Sequence, residues 1–140
     1  MKRYLLPLIL LALALSAGFA IIDQPRSYAL APLNERSMNH IASLQEGASL
    51  TARDCAAAYL FFHTDYEKKI PARIEISSKT QTDGAVRVNF RDDGVEDDST
   101  SNSIDRIYLR QDMRGHWVVE RHEWSHKGRG HWGWTTEPTT

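Results

Sequence analysis

The hydrophobic positions of this chain fall into three regimes with different periods. From Tyr4 to Ile22 the residues are uncharged and Leu-rich, with no alternation at all. From Ala52 to Tyr66 the apolar residues recur at helical spacing. After Pro71 they recur every second residue, the period of a strand with one wet face.

The helical segment has a start signal and a stop signal. Thr51-Ala52-Arg53-Asp54 is an [ST]-x-x-[DE] capping box. Behind it Cys55, Tyr59, Phe62 and Tyr66 step by four, three and four, flanked by Ala52, Ala56 and His63, and Pro71 is the expected end. Beyond it, Ile74 and Ile76 alternate with Arg73, Glu75 and Ser77. Val86, Val88 and Phe90 alternate with Arg87, Asn89 and Arg91. Thr82-Asp83-Gly84 between these runs is hairpin chemistry. A third strand is predicted from Ile104 to Gln111, with Ile107 and Leu109 inward. After a turn at Asp112–Gly115, a fourth is predicted from His116 to about Ser125.

The pattern predicts an α+β domain over residues 49–127, one helix packed on a four-stranded antiparallel sheet. Residues 23–48, with Pro25 and Pro32, read as a linker. Within it Asn34 to Gln45 offers a short helix as the alternative, with Met38, Ile41, Ala42 and Leu44 a partial apolar face and Gly47 its end. Residues 128–140 read as a Gly/Trp-rich tail. The element order, with Gly115-His116-Trp117-Val118-Val119 opening a late strand, resembles small exported NTF2-like or cystatin-like domains. That resemblance covers Leu50 to Lys127 and rests on pattern rather than a signature motif. It implies a helix-on-sheet fold, which hosts enzymes, inhibitors and binding modules alike, and it carries no site residue across.

Lys2-Arg3, the apolar run and the small residues Ser16, Ala17, Gly18 and Ala20 lay out residues 1–22 as a signal peptide or an N-terminal membrane anchor. The run is close to the roughly 20 residues one membrane helix needs. Either reading predicts export, to a periplasmic or other extracytoplasmic location, with anchoring to the inner membrane if the segment is retained. The full chain carries a net charge of −1. That argues against a nucleic-acid partner bound by phosphate neutralisation. Cys55 is the only cysteine, so an intramolecular disulfide and a Cys-rich zinc site are both excluded. On the apolar stripe it reads as a small buried hydrophobe with an inert thiol, its rival being an intermolecular disulfide.

One string could name a reaction. His122-Glu123-Trp124-Ser125-His126 spells H-E-x-x-H and resembles the zincin metalloprotease motif over five residues. In that chemistry the histidines hold zinc from one face of a helix and the glutamate activates the bound water. The sequence around it reads as strand, with Trp117-Val118-Val119 upstream and Gly128 and Gly130 downstream. On a strand, positions 122 and 126 share a face but are about 13 Å apart. Histidines on such a strand are expected to titrate in solvent. A zinc hydrolase with His122 and His126 as ligands and Glu123 as base therefore stands only as the alternative, with zinc its only implied cofactor.

Two other patterns fail on context. Gly128-Arg129-Gly130-His131-Trp132-Gly133 matches G-x-G-x-x-G, but the chain ends too soon for the βαβ unit the fingerprint needs. The acidic loop after Asp92 lacks EF-hand spacing and reads as solvated. What remains is an aromatic, weakly basic C-terminal segment. Trp124, Arg129, His131, Trp132 and Trp134 are the expected binding residues, for an envelope protein or ligand. The expected function is a non-enzymatic exported binding domain, with membrane association through residues 4–22.

Overall fold

The computed structural model describes residues 25, 27–95, 100–128 and 133–136. The chain forms β1 (Ala29–Ala31), α1 (Glu35–Gly47), α2 (Ala52–Leu60), a 3-10 turn (Asp65–Glu67), β2 (Ile74–Thr80), β3 (Val86–Asp92), β4 (Thr100–Gln111), β5 (Trp117–Gly128) and β6 (Trp134–Thr135). The strands make one antiparallel sheet in the order β1-β5-β4-β3-β2, with β6 also pairing β5. The class is α+β as expected, but the architecture differs: the described residues form two helices and a six-stranded sheet in place of one helix and four strands.

The extra elements come from the two stretches expected to be linker and tail. In α1 the Asn34 side chain accepts the Ser37 N–H as an N-cap, and the buried stripe is Ser37, Ile41 and Gln45. Two of those three positions are polar, which is why the helix carries so faint an apolar signal. Gln45 behaves here as a piece of sheet. Its Oε1 accepts the Trp117 N–H at 2.6 Å, and its Nε2 donates to the Trp117 carbonyl at 2.9 Å. The backbone groups of Trp117 on the outer edge of β5 thus meet a side-chain amide instead of a neighbouring strand. Farther along, the same edge is covered by β1 at residues 122–124 and by β6 at 126–127. An uncovered edge this long would invite pairing with another chain.

The capping box of α2 forms as expected, with Thr51 and Asp54 bonded reciprocally. These bonds from Thr51 hold the Asp54 carboxyl below the usual range. The helix stops at Leu60 rather than near Pro71. His63 takes a left-handed φ of 62° and the Thr64 hydroxyl donates to the Phe61 carbonyl, closing the end. Tyr66 nonetheless returns to the same cluster, edge-on to Phe61. Both predicted hairpins are present, with Gly84 and Gly115 at positive φ. Asp83 accepts the Ala85 N–H, while Asp112 accepts those of Arg114 and His116.

Both helices pack on one face of the sheet, where Cys55, Ala56 and Tyr59 meet Val88, Phe90, Ile107, Leu109 and Val119. Cys55 is fully buried, and burial, with Asp54 beside it, pushes its thiol up to about 11. The native protein is therefore expected to leave Cys55 unmodified by Ellman's reagent at pH 8, one thiol appearing only on unfolding. Prompt reaction without denaturant would contradict this burial. No helix among the described residues is long and apolar enough to cross a membrane. The run from 4 to 22 lies outside them.

Candidate functional site

A β-bulge decides which side chains of β5 face the helices. Tyr108 pairs Arg121 but Leu109 pairs Val119, which leaves Glu120 as the extra residue. Strict alternation from Val119 would turn 121, 123 and 125 inward. The bulge instead turns His122, Trp124 and His126 to the helix side, opposite Ile107, Asp105 and Ser103. The histidines expected on an exposed strand face are consequently sheltered, His126 being 5% exposed. Glu123, between them, faces the other way and accepts a hydrogen bond from the Tyr108 hydroxyl at 2.9 Å.

H-E-x-x-H thus lies on a strand. Its histidines are separated by a tryptophan whose ring stacks on His126 at 5.0 Å, and its glutamate is on the opposite face. The zincin arrangement needs all three groups around one ion. Among the described residues no group of three or more His, Cys, Asp or Glu side chains is placed to hold a metal.

The helix side of the sheet is polar at one end. Asp92, Ser103, Asp105, His122 and His126 occupy the far halves of β3, β4 and β5, beyond the apolar core. His122 Nε2 lies 2.7 Å from Asp105 Oδ1, and the ring stands edge-on to Tyr59 at 5.9 Å. A cavity of about 490 Å3 opens beside this pair, lined by Phe61, Tyr66, Arg73, Phe90, Asp92 and Asp105 among others. Asp92 is held by Arg73 at 3.0 Å and by the Gly94 N–H at 2.9 Å.

Among the described residues the opposite face carries no helix. Register places Arg87, Arg91, Arg106, Arg110, Arg121 and Lys127 there, interleaved with aromatic rings. The Arg106 guanidinium lies 3.5 Å from the centroid of Tyr28, and that of Arg121 lies 3.9 Å from Tyr108. Trp134, brought in by β6, receives Arg91 at 5.6 Å and Lys127 at 5.2 Å. A recess of about 520 Å3 is lined by Tyr28, Arg87, Arg91 and Arg106, with Glu75 and Asp93 also on its wall. Burial pushes the Tyr28 phenol up, against Arg106 and Arg87, which pull it down.

Some cations of this face have carboxylate partners. Arg91 is bonded to Asp93, and Arg110 to Glu120 and Asp83. Glu123 stands opposite Arg106 but is taken by Tyr108 and Arg121. Arg87 and Arg106 have no carboxylate partner among the described residues, and the Nε of each is sheltered from solvent without a hydrogen bond. A sheltered N–H donor without an acceptor is costly, and an anionic oxygen at the recess would complete it.

The expected binding residues divide. Trp124 lies half-buried on the helix side, stacked on His126, and Trp134 lies on the opposite face among the cations. Arg129, His131 and Trp132 are outside the described residues. Sequence reasoning missed Tyr28, Arg87 and Arg106, which come together only through the β3–β4 register and the placement of β1. It also missed Asp105, although Asp105 and Ser103 continue the inward parity of Ile107 and Leu109. The acids of the loop after β3 that are described, Asp92 and Asp93, are paired with Arg73 and Arg91. No family model, curated protein or solved structure matches this chain.

Proposed function

We propose that this protein is an exported, non-enzymatic binding domain, and that its helix-free sheet face engages an anionic lipid surface through headgroup phosphates. One observation carries the reading: Arg87 and Arg106 line an open recess, lack a carboxylate partner among the described residues, and each holds a sheltered Nε without a hydrogen bond. Guanidinium suits phosphate because its donors lie in a planar fork. The flanking Trp134 and Tyr28 are residue types that settle at the level of lipid headgroups. Chain length adds support. Only six backbone steps separate Ile22, the end of the apolar run, from Tyr28, whose ring holds Arg106. Fully extended they span about 21 Å, so a membrane-inserted run would keep this face close to the surface.

The fragment from Asp23 onward, with circular dichroism matching the full chain, serves as the test. It is expected to sediment with phosphatidylglycerol vesicles at low ionic strength and to be released as salt rises. Equal binding to phosphatidylcholine, or none to either, would sink the reading.

A further inference from the structure

The cavity on the helix side lies away from the lipid-facing recess and has a different chemistry. Its two carboxylates differ in what answers them. Asp92 is matched by Arg73, which is always charged, and Arg73 also donates to the Tyr66 hydroxyl at 2.9 Å. Asp105 has only His122, bonded to Oδ1, and that imidazole is charged only when protonated. Oδ2 of Asp105 has no partner among the described residues. With Arg73 already bonded to Asp92, the second Asp105 oxygen, which faces solvent at the cavity wall, leaves the site a net acceptor.

The remaining walls select what would answer it. Phe61 stands edge-on to Tyr66 at 5.7 Å and to Phe90 at 5.5 Å, so three rings line the space in a chain. A carboxylate facing aromatic rings is the pairing that favours an organic ammonium group: the charge meets the acid and the C–H groups meet the π-faces. A neutral alcohol would leave the charge unmatched, and a carboxylate ligand would be repelled. The volume of about 490 Å3 suits a small molecule rather than a peptide segment.

We propose that this cavity is a second binding site, taking a small primary amine with an apolar body, whose ammonium group bonds Asp105 Oδ2. His122 is then a positioning residue: it holds the carboxylate through Oδ1 and leaves the other oxygen free.

The full chain in detergent micelles is titrated calorimetrically with benzylamine, benzyl alcohol and benzoate. Saturable benzylamine binding is expected, with the alcohol at least tenfold weaker and benzoate undetected. Asp105→Asn is expected to weaken benzylamine at least tenfold and to leave the alcohol unchanged, which separates loss of charge from loss of fold. Arg87→Glu/Arg106→Glu on the other face should leave the amine titration as it is, so failure of the lipid reading would not touch this site. No saturable benzylamine binding, equal binding of amine and alcohol, or an Asp105→Asn variant that binds the amine as tightly as the parent would each overturn the proposal.

Discussion

Replacing Gln45 by alanine is expected to remove about 3 kcal/mol of stability, the largest single loss among the polar residues of this fold. The deletion leaves the Trp117 N–H and carbonyl facing the end of α1 with nothing to bond, and each orphaned group costs about 1–3 kcal/mol. Gln45 is 8% exposed, so water reaches the gap poorly. Its Nε2 also donates to the Ile41 carbonyl in α1, and the amide therefore ties helix to sheet. In a domain of this size the loss corresponds to a fall in melting temperature of roughly 10–20 °C. Gln45→Glu keeps the acceptor and loses the donor, and should lie between. A Gln45→Ala protein that melts with the parent would show that the edge of β5 is not sealed by this side chain.

Charge reversal at Arg87 and Arg106 together is the second large effect. A basic residue near an anionic membrane contributes about 1 kcal/mol, and two reversals change the charge by four units. The double Glu variant should therefore lose about 4 kcal/mol of binding to phosphatidylglycerol vesicles, about a thousandfold in partition coefficient. Arg110→Glu is the matched control. Arg110 is on the same face but is already bonded to Glu120 and Asp83, so its reversal should cost far less than half the double effect. If all three arginines contributed alike, the interaction would be diffuse attraction rather than capture by the recess.

What could be read from the sequence was local. The capping box at Thr51 and Asp54, the turn at Asp83-Gly84 and that at Asp112–Gly115 are contiguous signals whose chemistry acts within a few residues. α1 escaped because its inward positions include Ser37 and Gln45, and a buried glutamine announces itself only through Trp117, seventy-two residues away. β1 is three residues long, too short for alternation to register.

The site failed to show for a sharper reason. One bulge at Glu120 inverts the parity of β5, so His122 and His126, expected on an exposed strand face, turn to the helix side although Val119 also faces it. The inward position of Asp105 follows from the parity of Ile107 and Leu109, but its pairing with His122 depends on the bulge. On the other face, Arg87, Arg91 and Arg106 looked like the ordinary wet side of two strands. Only the sheet order puts them in one recess with Tyr28.

The orientation of the domain on a lipid surface tests the central claim most directly. A fluorophore would be attached at Ser77→Cys on the helix-free face, or at Glu46→Cys on α1, both exposed positions. Buried Cys55 remains unlabelled under native conditions. In phosphatidylglycerol vesicles containing nitroxide-headgroup lipid, the full chain should show strong quenching at position 77 and little at 46. Equal quenching at both positions, or stronger quenching at 46, would contradict the assignment of the arginine-lined face to the membrane.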